Sequence, residues 1–340
     1  MGNPKITVLM PVYNGEKYLQ ESIESILNQT FTNFEFLIIN DASTDQSVAI
    51  INSYHDPKIR LVHNKKNLGL IYTLNKGLGL SRGDYIARMD CDDISLQGRL
   101  KTQVDFLENH SDVAVLGTSV KTFGAKKDIW RYPKRNDEIK FELLFRSVLA
   151  HSSVIFRTGL EGLVYDEKYE NAEDYELWCR LIERYKFHNL QTPLVKYRIH
   201  EGQESEINKE YQNKTTDKIR REQLNKLNIK FSNNEFRIHT HISTFCPVND
   251  LNALDSYENW LEKLYRANIT KNIVSVELSK VIIGKFWWRL CRNSCSQGLS
   301  TWHKYSRSNL SKYYSPRKIH LASFFTYSFL NRKQFRKAHR

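Results

Sequence analysis

The stretch "GDYIARMDCDD", residues 83–93, opens as a buried-strand pattern and closes with three carboxylates in four positions. Asp90, Asp92 and Asp93 repel one another unless a cation shares the site. Side chains alternate along extended backbone, so Asp90 and Asp92 can face one way and Asp93 the other. Two carboxylates converging at a strand end suit a divalent ion with oxygen ligands, Mg²⁺ or Mn²⁺. Mg²⁺ takes one or two carboxylates and fills its shell with water and substrate phosphates. The pattern thus points to a bound diphosphate, and a solvated acidic turn is the plainer alternative. Asp41 follows the apolar run "FEFLIIN". A carboxylate there can accept hydrogen bonds from a nucleobase N–H or a ribose hydroxyl, or it can cap a helix.

These residues need elements to hold them at one edge. In the first half, short apolar runs alternate with helical patterns: "KITVLMPV", "FEFLIIN", "KIRLVHN", "GDYIARMD" and "VAVLGTSV" read as strands. Between them, "EKYLQESIESILNQ", "DQSVAIINSY", "LIYTLNKGLGLS" and "LQGRLKTQVDFLENH" carry helical periodicity. Ser43, Thr44 and Asp45 are cap candidates for the second of these helices. Such alternation predicts an α/β fold with a mostly parallel sheet flanked by helices. Ligands of such sheets bind beyond the carboxyl ends of the strands, where the "PVYNG" turn, Asp41 and residues 90–93 all fall. No P-loop and no Gly-x-Gly-x-x-Gly fingerprint follows a strand, so any nucleotide is held another way.

The totals describe two regions. The formal charge is +13, yet residues 281–340 carry 13 Lys or Arg and no acid, leaving 38 of each sign in residues 1–280. Cys91, Cys179, Cys246, Cys291 and Cys295 are scattered and odd in number, which suits free thiols in a reducing compartment. The spacing of Cys291, Cys295 and His303 matches no zinc pattern. No apolar run approaches the length of a spanning helix. The start "MGNPKITVLMPVYNG" lacks the features of a secretory signal and leads straight into a strand.

The stretches "ITVLMPVYNGEKYLQESIESILNQTFTNFEFLIINDASTD", "NLGLIYTLNKGLGLSRGDYIARMDCDDI" and "NAEDYELWCRL" resemble the inverting glycosyltransferases of family 2, with the GT-A fold. The resemblance is dense over residues 5–200. It implies that Pro11, Val12 and Tyr13 lie along the nucleotide and that Asp41 reads its base. It makes Asp90 and Asp92 the acids of an Asp-x-Asp motif, the first near the ribose and the second on the metal, Mn²⁺ or Mg²⁺. Cys91 fills the variable middle position, Asp93 supports it, and Arg88 approaches the donor. Glu173-Asp174 matches the family's acidic pair, with Asp174 as catalytic base. His200 fits a late histidine that reaches the metal or diphosphate. His151 and Asn67 are further candidates for contact with substrate. Trp178, one turn after Asp174, reads as core. Asp174 opens a helix, where free backbone N–H groups favour the carboxylate form. Glu173 and Asp174 also read as first-turn acids that complement the helix dipole.

The domain expectation is a catalytic domain at 1–203, a helical region at 204–280 and a basic aromatic tail at 281–340. Within the first, residues to about 118 hold the nucleotide sugar and 119–203 the acceptor. The expected enzyme is a metal-dependent hexosyl- or N-acetylhexosaminyltransferase. Its donor is a nucleotide sugar, UDP-linked. Its acceptor is a glycan or lipid-linked hydroxyl in surface-polysaccharide assembly. The tail predicts a peripheral protein on the anionic cytoplasmic leaflet, because basic residues and interfacial Trp and Tyr favour that zone. A nucleic-acid-binding protein is the first alternative, weakened by the confinement of the positive excess to the tail. A glycoside hydrolase using a carboxylate pair is the second; it needs neither nucleotide nor metal.

Overall fold

The structure is a computed structural model that describes residues 3–203 and 208–330. The chain falls into two compact units, Met1–Ile139 with Ser147–Thr216, and Lys140–Arg146 with Asp217–Arg340.

The first unit is built on a nine-stranded sheet. Strands β1 (Ile6–Val12) and β2 (Phe34–Asn40) are buried along their whole length, as continuous apolar runs in a covered parallel sheet should be. They are joined by β3 (Ile59–His63) and β4 (Tyr85–Arg88) in the order β3-β2-β1-β4, all parallel. Three helices turn apolar stripes inward. They are α1 (Glu16–Leu27) with Leu19, Ile23 and Ile26; α3 (Leu70–Leu80) with Ile71 and Leu74; and α4 (Arg99–Asn109) with Leu100, Val104 and Leu107. The short α2 (Ser47–Asn52) packs beside them. The expected mostly parallel sheet with flanking helices is therefore present.

Beyond β4 the sheet becomes mixed. β8 (Ile155–Arg157) inserts antiparallel between β4 and β6 (Val113–Gly124). β9 (Lys186–Ile199) pairs parallel with β6 through several register shifts, and β5 (Ile94–Ser95) closes the edge antiparallel to β9. β7 (Asp128–Trp130) pairs with the far end of β6. The stretch "YPKRNDEIKFELLFRS", helical in its pattern over its whole length, folds as the shorter α5 (Asn136–Glu142). Helix α6 (Glu173–Leu181) follows as the sequence pattern predicts. Trp178 is buried on it, as core.

The second unit is helical. It holds most of α7 (Lys209–Lys226), then α8 (Asn233–Thr244), α9 (Ala253–Lys271), α10 (Val276–Asn293), α11 (Leu299–Arg307) and α12 (Lys318–Leu330). Its core is aromatic: Trp260, Phe286, Trp287, Trp288, Tyr305 and Phe324 are buried together. This corrects one expectation. The tail's aromatic residues are expected at a membrane headgroup zone, but Phe286, Trp287, Trp288, Tyr305 and Phe324 face their own core, and Trp302, Tyr313, Tyr314 and Tyr327 pack against it. Phe335 lies outside the described residues. Among the described residues no helix is long and apolar enough to cross a membrane.

Candidate active site

The acidic segment leaves β4 at Arg88 and turns into β5, so residues 90–93 occupy the carboxyl end of the parallel strands. One carboxylate oxygen from each of Asp90, Asp92 and Asp93 lies within 4.8 Å of the others. Their surroundings differ. Asp93 is 0% exposed and both its oxygens are taken: Ser152 Oγ donates to one at 2.5 Å and the Arg198 backbone N–H to the other at 2.8 Å. Burial, then the charges of Asp92 and Asp90, pushes Asp93 well above the usual carboxylate range. Asp90 and Asp92 are half-buried and open to solvent. Asp92 sets one oxygen 3.1 Å from His200 Nε2, and Asp90 sets one against Arg88. Each keeps a second oxygen for a ligand. The alternation expected of extended backbone is not what separates them: residues 91–93 form a turn on which all three carboxylates converge, two half-buried and the third built in.

Arg88 is 1% exposed. Its Nη1 touches the Asp90 carboxylate as an ion pair without hydrogen-bond geometry, and its buried Nε has no partner. An unpaired buried guanidinium N–H is costly, and an anionic ligand beside it would supply the missing acceptor. The oxygens of Asp90 and Asp92 with the His200 ring fit a hard divalent cation, and the orphaned Arg88 N–H fits the anionic donor beside it.

The "PVYNG" turn and Asp41 form the neighbouring part of the rim. Pro11 and Val12 are buried in β1, and only Tyr13, 47% exposed, offers its ring to solvent. The loop after β2 clasps the turn. Asn14 N–H donates to Ser43 Oγ at 3.0 Å, Gly15 N–H to Ser47 Oγ at 2.9 Å, and Glu16 N–H to Asp45 Oδ2 at 2.9 Å. The cap expectation for α2 is corrected: Gln46 stands at its N-cap without a side-chain cap, while Ser43 and Asp45 accept from the turn before α1 and from its first N–H, and Asp45 also accepts from Ser47 N–H. Asn14 (φ 47°) and Ala42 (φ 57°) both sit in the left-handed region, a strain typical of functional turns. A Cβ on Gly15 would come within 3.1 Å of Cys91 Sγ, so only glycine lets this turn approach the acidic segment unhindered. Cys91 is half-buried there, and burial raises its thiol well above the ordinary value.

Asp41 is buried and accepts from Asn64 Nδ2 (2.7 Å), Leu68 N–H (2.9 Å) and Gly69 N–H (2.8 Å). Gly69 needs its φ of 85° to present that N–H. Asn67 is exposed in the same loop and accepts from Gly69 N–H at 3.0 Å. Asp41 thus shapes the 64–69 loop and retains one free lone pair for a ligand.

The third group gathers around α6. Asp174 is half-buried at the helix start, accepting from Tyr175 N–H at 2.7 Å and from Ser147 Oγ at 3.3 Å. Burial raises its pKa while those donors oppose the rise. Glu173 is buried, and burial with the Asp174 charge pushes it up to about 8. The two acids are thereby set apart: Glu173 holds a proton at neutral pH, and Asp174 is the better candidate for a carboxylate. His151 lies on a 3-10 turn with Nε2 2.8 Å from Tyr165 Oη. Burial and the Arg88 charge hold it neutral. A cleft of about 570 Å³ lined by Asn75, Arg82, Asp84 and Leu163 lies at the amino end of β4, away from these groups.

A family model described as "Glycosyl transferase family 2" matches residues 7–161. An uncharacterized glycosyltransferase of Haemophilus influenzae is 35% identical over 246 residues, covering 66% of this chain and 76% of that one. The chain belongs to the family 2 glycosyltransferases. The O-antigen biosynthesis glycosyltransferase WbnJ of Escherichia coli is 32% identical over 205 residues, covering 57% of this chain and 80% of its own. Among solved structures, S. aureus TarS 1-349 in complex with UDP-GlcNAc superposes with a TM-score of 0.55 at 18% identity, covering 89% of this chain and 92% of that one. That likeness speaks for the GT-A fold.

In this glycosyltransferase the structure adds residues that the sequence did not reveal. Arg198 is sandwiched between the rings of Tyr18 (4.2 Å) and Phe123 (4.3 Å) and pairs with Glu21. Its Nε donates to the Asp92 carbonyl at 2.7 Å, so it holds the acidic turn from β9. Arg99, fully buried, donates to the Arg88 carbonyl at 2.7 Å and fixes the strand end. Ser152, Ser147 and Tyr165 complete the set. None has a local pattern that would announce it; each acts on a residue far away in sequence.

Proposed function

We propose that this family 2 glycosyltransferase moves a hexosyl or N-acetylhexosaminyl group, with inversion, from a nucleoside-diphosphate donor to a hydroxyl of a glycan or lipid-linked acceptor. The observation that carries the reading is the acidic rim: two open carboxylates and a histidine beside a buried arginine whose N–H lacks a partner. Asp90, Asp92 and His200 would hold Mn²⁺ or Mg²⁺, with Asp93 as their support. When bound, that ion neutralises charge on the leaving diphosphate as a Lewis acid. Arg88 binds the donor's anionic part, Tyr13 lies along the nucleotide, and Asp41 with Asn67 meets the base. Asp174 takes the proton from the attacking hydroxyl, a contribution of about 10²–10⁴ in rate. Glu173 and His151 stay uncharged and shape the pocket around it. Residues to about 118 serve the donor and 119–203 the acceptor.

The WbnJ name supports surface-polysaccharide assembly as the setting. A UDP-linked sugar is the first donor to test, as in the TarS complex. A lipid-linked acceptor would bring the enzyme to the cytoplasmic leaflet as a peripheral protein. The deciding experiment is calorimetry of Mn²⁺ and UDP with wild type and Asp92→Asn. Metal-dependent affinity should disappear in the variant and survive largely in Asp93→Asn; undiminished affinity in Asp92→Asn removes the metal site from the account.

A further inference from the structure

We infer that α12 is the membrane-contact element of this protein, inserting one face into an anionic lipid surface. Helix α12 is apolar on two sides. Phe324 is buried against Trp288 and Tyr305, with ring centroids 5.3 Å and 5.7 Å away. The rest of its circumference exposes Ile319 (73%), Phe325 (44%), Phe329 (64%) and Leu330 (47%). Successive helical residues are about 100° apart, so Lys318, Ala322, Phe325 and Phe329 share one outward arc, with Ile319 and Leu330 beside it. Phe325 and Phe329 stack at 6.5 Å, and Trp302 supports Phe325 from below at 5.2 Å. A helix on a water-soluble surface keeps charged residues on its outer face; this one carries Phe325, Phe329, Ile319 and Leu330 there with Ala322, Thr326 and a single lysine.

Charge decides between the possible occupants. Arg317 and Lys318 are exposed at the start of the helix. Residues 331–340, which follow it directly, carry five Lys or Arg and no acid. A second copy of the chain would bring the same positive charge to the contact and repel it. An anionic headgroup layer attracts every one of these cations, while its acyl boundary takes the phenyl rings. The buried Trp287 and Trp288 play no part. This assignment rests on the peripheral-membrane reading above, and the comparison below separates the two.

The test is cosedimentation of the full chain with phosphatidylcholine vesicles and with vesicles that also contain phosphatidylglycerol, at low and high salt. The chain should pellet with the anionic vesicles alone and be released by salt. Phe325→Ser with Phe329→Ser should lower partitioning by about tenfold or more while leaving the melting temperature unchanged. Ile319→Ser is the second variant should the pair melt early. Arg317→Gln with Lys318→Gln should weaken anionic binding by about fivefold or more. Vesicle binding untouched by the apolar variants overturns the role of α12 and leaves membrane association standing. Absence of vesicle binding overturns both, whether the chain then self-associates through these phenylalanines or is retained by an oligonucleotide.

Discussion

Two buried polar side chains, Arg88 in the acidic rim and His239 in the helical unit, are held in opposite ways. In the helical unit His239 is fully buried and fully satisfied: Nε2 lies 2.9 Å from the Leu144 carbonyl, and Trp260 Nε1 donates to Nδ1 at 3.2 Å. Burial pushes its pKa down to about 3, so it sits there as a neutral part of an aromatic core. In the rim, Arg88 is just as deeply buried and is left open, with one N–H unpaired and its ion pair poorly aligned. A closed network rigidifies; an open one waits for a partner, because low dielectric makes the missing bond expensive. Trp287 Nε1 and Ser328 Oγ in the helical unit are also buried without a partner, so what sets Arg88 apart is its charge beside the open carboxylates of the rim.

The sharpest way to break that comparison is at Asp174. Asp174→Asn keeps the shape of the α6 start and should keep donor affinity. Transfer should fall by about 10² or more, measured as initial rate with saturating donor. A UDP-α-sugar should give a β-linked product, read from proton coupling constants. An α-linked product would show that the rim does not work by a single inverting displacement.

The helical unit offers the converse test. Trp287 is fully buried among Phe286, Trp288 and their neighbours, and Trp287→Ala removes one of the three buried tryptophans of that cluster. Cavity formation should cost about 3–5 kcal/mol, visible as a lower midpoint in denaturant unfolding. Trp302, half-buried at the edge of the same core, should cost less when replaced by Ala. Equal effects would mean that the aromatics are not packed as a core.

The two regions were also legible to different degrees. β1 and β2 are continuous apolar runs closed by polar turns, and α1, α3 and α4 carry clean helical stripes, so the parallel half of the sheet and its rim could be placed. The run "HSSVIFR" reads as a short strand and forms β8, but nothing local shows that it runs against the parallel direction, and β5, with two residues, is too short for any periodicity. Their placement depends on partners such as Tyr85 and Val195, far off in the chain. Asp93 shows the same limit in the site: its carboxylate was visible, but Ser152 and Arg198 lie 59 and 105 residues away. The tail misled for another reason. Its cations and aromatics occupy the same helices, and composition does not say that Trp287 turns inward while Phe329 turns out.

The last test asks whether the rim holds Glu173 protonated. Its carboxyl sits near 8 in the folded protein, raised by burial and by Asp174, against about 4.5 when unfolded. Between those values the folded state binds one proton that the unfolded state does not, so wild-type stability falls as pH rises. The contribution is fully present below about pH 4.5 and gone above about 8, with a slope of about 1 kcal/mol per pH unit between. Glu173→Gln carries no such proton. In metal-free, donor-free protein, the unfolding free energy of wild type minus that of the variant should decline from pH 5 to pH 8 and then level off. A difference that stays flat across this range would mean that Glu173 is already ionised at neutral pH. It would then compete with Asp174 for the part of base.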